Sequence, residues 1–61
     1  MPEDPLLTVE EVAKQLGVHP DTVRKWIRNG EIEAINLGGQ AGYRIRQSAI
    51  DRFLRERTSG G

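Results

Sequence analysis

Sixty-one residues with nine basic and nine acidic side chains make one domain of zero formal net charge, and there is no cysteine. Such a chain buries only about 60% of the surface its unfolded form exposes, and disulfides and thiolate zinc sites are excluded as compensation. One histidine and scattered carboxylates leave no ligand set for a metal, and no apolar run approaches the ~20 residues that cross a bilayer.

In chain order, residues 1–6 hold two prolines and two acids and read as an extended, frayed arm. From Leu7 the signals turn helical. Thr8 is a cap, Glu11 three positions later completes a capping box, and Leu7 with Val12 makes a hydrophobic staple. Glu10 and Glu11 sit at the positive end of the helix dipole. Val9, Val12, Ala13 and Leu16 share one face; Glu10, Glu11, Lys14 and Gln15 share the other. Gly17 stops this helix, and Val18 folds back on Ala13.

A second helix follows at once. His19 is its cap, Pro20 suits the first helical position, and Gly30 supplies a left-handed stop. At 100° per residue, Val23, Trp26 and Ile27 fall within one arc. Arg24, Lys25 and Arg28 fall on the opposite arc, with Asp21 between them. This places Trp26 in the core rather than on a stacked base. Only one tight turn fits between Leu16 and Pro20, so the two helices meet at a steep angle: a helix-turn-helix. Ala13 allows close approach, Gly17 permits the turn and Val23 plugs the interface. A compact helix that holds guanidinium and ammonium groups away from its core suits the major groove of DNA.

After Gly30 the period becomes two. Ile35 and Leu37 alternate, Gly38-Gly39-Gln40-Ala41-Gly42 intervenes, and Tyr43 and Ile45 alternate again, which predicts a β-hairpin. Ile35, Leu37, Tyr43 and Ile45 are expected on the core side, with Asn36, Arg44 and Arg46 outside. The glycines lack the Lys-Ser/Thr ending of a nucleotide-binding loop. Residues 47–57 return to helical spacing, with Ser48 and Asp51 as a second capping box and an apolar face of Ala49, Ile50, Phe53 and Leu54. The expected organisation is an arm at 1–6, a domain at 7–57 and a flexible tail at 58–61. Its fold class is mainly α with a small β-hairpin (α+β), a winged helix-turn-helix of three short helices and a two-stranded wing.

Zero net charge conceals a gradient: residues 1–18 sum to −3, residues 19–46 to +2 and residues 47–61 to +1. Few charges are available for phosphate, so a lone copy is expected to bind modestly. No nucleophile–base arrangement is visible, and the chain reads as a non-enzyme without cofactor. With no signal peptide at its start, it is expected to be soluble and cytoplasmic, nucleoid-associated when on DNA, with neither membrane nor small-molecule partner.

The residues that carry these signals also resemble a known family. Leu7-Thr8-Val9-Glu10-Glu11-Val12-Ala13, Leu16-Gly17-Val18, Thr22-Val23-Arg24-Lys25-Trp26-Ile27, Gly30-Glu31-Ile32 and Tyr43-Arg44-Ile45 are similar to the excisionase/MerR-type winged helix-turn-helix domain. The resemblance implies that the second helix enters the major groove while the wing follows the neighbouring backbone or minor groove. Position by position, it implies base or phosphate contacts from Asp21, Thr22, Arg24, Lys25 and Arg28, with Arg44 as the wing arginine. Tyr43, either a core-edge residue with a wet hydroxyl or a phosphate donor, and Arg46 complete the candidate set. Thr22 bonds either its own backbone or a phosphate. Two departures stand out: His19-Pro20 occupies a place where small or polar residues are common, and the tip Gly38–Gly42 has no basic residue. The implied role is that of a small sequence-specific double-stranded DNA-binding protein, either a recombination directionality factor or a transcription regulator. Its partners would be duplex DNA, further copies along it, or a recombinase. The alternative is a protein-interaction module, or a detached domain of a larger regulator, that does not bind DNA alone.

Overall fold

A computed structural model describes residues 4–58. In chain order the elements are β1 (Leu6–Thr8), α1 (Val9–Leu16), α2 (Pro20–Arg28), β2 (Ile35–Asn36), β3 (Tyr43–Arg46) and α3 (Gln47–Thr58). The expectations for residues 1–3 and 59–61 lie outside the described residues.

Both helices of the turn start and stop as their local sequence dictates. The Thr8 hydroxyl accepts the Glu11 N–H at 3.1 Å, and the Glu11 carboxylate accepts the Thr8 N–H at 2.9 Å, closing the capping box. At the far end, Gly17 is left-handed with φ 71°. There the Val18 N–H donates to the Ala13 carbonyl at 2.9 Å and the Gly17 N–H to the Lys14 carbonyl at 3.3 Å, the paired bonds of a Schellman stop. The same device ends α2. Gly30 has φ 77°, the Glu31 N–H donates to the Trp26 carbonyl at 2.9 Å, and the Gly30 N–H donates to the Ile27 carbonyl at 3.1 Å.

The sheet departs from expectation. It has three strands in the order β1-β3-β2, all neighbours antiparallel. Residues opposite each other share a face, so the pairs Leu7–Ile45 and Asn36–Tyr43 lie on one side while Ile35, Arg44 and Thr8 lie on the other. Ile35, expected beside Tyr43 and Ile45, therefore belongs to the Arg44 side. Leu37, also expected in the core, is 52% exposed. Its N–H donates to the Gly42 carbonyl at 2.9 Å, and the Gly38 N–H donates to Asn36 Oδ1 at 2.8 Å. These bonds begin the turn early, so β2 ends at Asn36 and Leu37 rides on the tip.

Nor is the expected Ser48–Asp51 capping box present. Strand β3 runs into α3 without a loop, which places Ser48 inside the first turn rather than before it. The cap arrives from 44 residues away: Asp4 accepts the Ser48 N–H at 3.0 Å and the Ser48 hydroxyl at 2.7 Å. Beside it the Gln47 N–H donates to the Pro5 carbonyl at 3.1 Å, while Asp51 accepts the Gln47 side-chain amide at 3.1 Å. Asp4, Pro5 and Leu6, expected in a loose arm, are thus tied to β3 and α3.

The core consists of Val9, Val12, Ala13, Val23, Ile32, Ile45, Ile50 and Phe53, with Leu7, Leu16, Val18, Trp26 and Tyr43 half-buried against it. Leu54, placed by its spacing on the apolar face of α3, is 40% exposed. Ile32 stands outside any periodic run and was not expected there.

Candidate nucleic-acid interface

The second helix is held at three points. At its start, His19 Nδ1 accepts the Asp21 N–H at 3.1 Å, so the imidazole caps the helix through a ring nitrogen lone pair. Along its inner face Val23 is fully buried. At its end the Trp26 ring packs on Phe53 of α3, with centroids 4.8 Å apart and planes tilted by 46°. The Arg57 guanidinium lies 4.4 Å from the Phe53 centroid and 5.5 Å from that of Trp26, a cation–π arrangement. Arg57 also pairs with Glu31 just beyond α2. Trp26 is therefore an anchor, as its place between Val23 and Ile27 predicts.

The opposite side of α2 carries the candidate residues. Lys25 and Arg28 are exposed, and neither takes part in an ion pair among the described residues. Arg24 is different. Its side chain is 42% exposed, Nη1 bonds Asp21 Oδ1 at 2.8 Å, and Nη2 bonds Glu10 Oε2 of α1 at 3.3 Å. The three-cation ridge expected from the helical wheel is two free cations beside a guanidinium shared between two carboxylates. Asp21 remains largely in solvent, its side chain 77% exposed. Thr22 is half-buried; its N–H donates to the His19 carbonyl at 2.9 Å, and its hydroxyl bonds nothing among the described residues.

In the hairpin, Tyr43 is half-buried on the core side. Arg44 turns back on its own tip: Nη1 donates to the Ala41 carbonyl at 2.6 Å and to the Tyr43 carbonyl at 3.0 Å, leaving the rest of the fork open. Arg46 is exposed, and its charge acts on Asp4. The Asp4 carboxyl is held below its ordinary value, first by the Ser48 hydroxyl, then by the Ser48 N–H, with Arg46 assisting and some desolvation opposing. Among the described residues no hydrogen bond or ion pair joins the α2 group to the hairpin group. Nor does any cluster of His, Cys, Asp and Glu suited to a metal occur among them.

Spacing did not disclose the parts played by Glu10 and Arg57. Glu10 reaches Arg24 across 14 residues and Arg57 reaches Glu31 across 26, far outside any helical or hairpin period. The weak signal for Arg57 was a cation one helical turn beyond Phe53.

Two capped helices around a glycine turn, with a hairpin running directly into a third helix, make a winged helix-turn-helix domain. Comparison with known proteins agrees. The family described as "Helix-turn-helix domain" matches residues 6–58. Over 53 residues the chain is 42% identical to a "Probable excisionase" of Saccharopolyspora erythraea, covering 87% of this chain and 52% of that protein. The chain thus spans about half the length of the curated relative it matches. No solved structure matches it significantly. The chain belongs to the helix-turn-helix domain family. No helix among the described residues is long and apolar enough to cross a membrane.

Proposed function

We propose that this protein binds double-stranded DNA sequence-specifically, with α2 in the major groove, and acts as an excisionase-like directionality factor. The observation that carries the reading is the two-sidedness of α2. Val23 and the Trp26–Phe53 pair hold one side rigidly, while Lys25 and Arg28 are exposed on the other and make no ion pair among the described residues. Lysine and arginine donate to guanine acceptors in the major groove, and a helix fixed from beneath holds such donors in register. Asp21 and Thr22, in the first turn, supply an acceptor and a hydroxyl beside them. Arg44 and Arg46, on the outer face of the hairpin, engage the sugar–phosphate backbone. The name of the relative supports the recombination role over that of a transcription regulator. Since one copy offers few cations, several copies side by side, or a recombinase beside one, complete the assembly. The protein acts without catalysis, in the cytoplasm.

Selection of bound sequences from random duplexes at two salt concentrations tests this. A defined motif is expected, and Arg28→Ala costs about 1–3 kcal/mol on it if Arg28 reads a base. Arg44→Ala flattens the salt dependence by about one phosphate contact. If no motif emerges and both variants bind duplex like the parent at low salt, the reading is wrong. Zero net charge and the engagement of Arg24 favour one rival, a protein-interaction module. For that rival, duplex titration leaves the NMR signals of residues 21–28 and 43–46 unmoved.

A further inference from the structure

Glu10 lies on α1, outside every set of residues so far assigned to DNA. Yet Glu10–Arg24 is the only ion pair among the described residues that joins the two helices of the turn. The guanidinium is divided between two carboxylates, Nη1 with Asp21 at 2.8 Å and Nη2 with Glu10 at 3.3 Å. Such a fork presents fixed donors in one plane, so two acceptors on different sides determine its pose. The cluster as a whole carries one negative charge, in the middle of a face whose other charged groups are Lys25 and Arg28. A phosphate approaching Arg24 finds part of its guanidinium already engaged and must tolerate both carboxylates. Each bond is weak, since all three side chains are more than a third exposed, and the hold is therefore releasable.

We infer that Glu10 is a positioning residue for the DNA-facing side of α2: through Arg24 it withholds one cation from phosphate and keeps the Asp21 carboxylate oriented outward. This rests on the DNA reading above. Its consequence is a trade of charge for selectivity. With Arg24 engaged, the helix has two free cations for any duplex, and the oriented carboxylate favours sites that meet it with a base amino donor. Released, Arg24 becomes a further phosphate contact that ignores sequence.

The test measures binding of the full chain to a mixed-sequence duplex at about 50 and about 200 mM salt, the range over which phosphate contacts are counted. The variants are E10Q, E11Q, R24Q and the double variant E10Q/R24Q. E11Q removes the same charge one residue away and keeps a side chain able to close the Thr8 capping box. E10Q is expected to bind roughly tenfold tighter at the lower salt, with a slope steeper by about one contact. E11Q should leave the slope unchanged, and E10Q should have no effect in the R24Q background. In NMR, the Arg24 guanidinium protons should exchange faster with water in E10Q than in the parent. Equal effects of E10Q and E11Q, or a gain by E10Q that survives without Arg24, overturn the inference and leave the DNA reading standing. If neither the parent nor any variant binds duplex, the DNA reading falls and this inference falls with it.

Discussion

Gly17 and Gly30 end successive helices at nearly one backbone setting, φ 71° and 77°. At Gly17 an added Cβ would meet no heavy atom within 4 Å. Substitution there carries only the strain of the left-handed region, about 1 kcal/mol for alanine, and less for asparagine, which tolerates it. In thermal unfolding Gly17→Ala should lower the midpoint by roughly 4–8 °C for a domain of this size, with Gly17→Asn in between. Equal behaviour of the two would show that crowding, not backbone strain, sets the cost. At the same scale, His19 is not one of the small side chains that usually cap helices, yet it performs their task, because Nδ1 accepts the Asp21 N–H.

Among the elements, α1 and α2 were legible from sequence almost to the residue, because every signal that bounds them acts within about five positions. The capping box, both glycine stops and the proline at the start of α2 are local by construction. Strand β1 was not legible. Leu6-Leu7-Thr8 is short, does not alternate, and follows Pro5, while its partner, Arg44–Arg46, lies some 38 residues on. The hairpin register failed for a related reason. The Asn36 side chain and the Leu37 N–H start the turn early, and a one-residue slip moves every side chain to the other face. Helix α3 was legible as a helix, but its cap was not, since Asp4 reaches it from the opposite end of the chain. That cap has a pH signature. The folded state holds the Asp4 carboxyl below its ordinary value, near 3.9 in an unfolded chain. Its contribution is therefore fully present above about pH 4 and is lost as pH falls through the lower, folded value. Asp4→Asn should reduce the thermal midpoint at neutral pH and flatten the acid limb of a stability–pH curve. An unchanged acid limb would show that the cap contributes nothing.

The whole molecule depends on a small core, in which the Trp26–Phe53 pair joins α2 to α3. Phe53 is 4% exposed, supports Trp26 from below and carries the Arg57 guanidinium. Truncation of a buried phenylalanine costs about 3–5 kcal/mol, which matches the ~3–5 kcal/mol that a core of this size supplies in total. Phe53→Ala should therefore be largely unfolded at 37 °C by circular dichroism. A cooperative transition well above that temperature would mean that the core is deeper than its eight buried residues suggest. The free part of the candidate site, Lys25 and Arg28, was readable from angular position alone. The engaged part was not, because the Glu10–Arg24 pair arises from the angle at which two helices meet.

The tie between residues 4–8 and residues 43–48 also fixes an order of events during synthesis. The first strand and the aspartate behind it emerge from the ribosome long before the strand and serine that receive them. The helix pair can assemble in the interval, but β1 gains its sheet partner only once β3 has emerged. A bulky fusion joined immediately before Asp4 would therefore burden the last step of folding rather than the first.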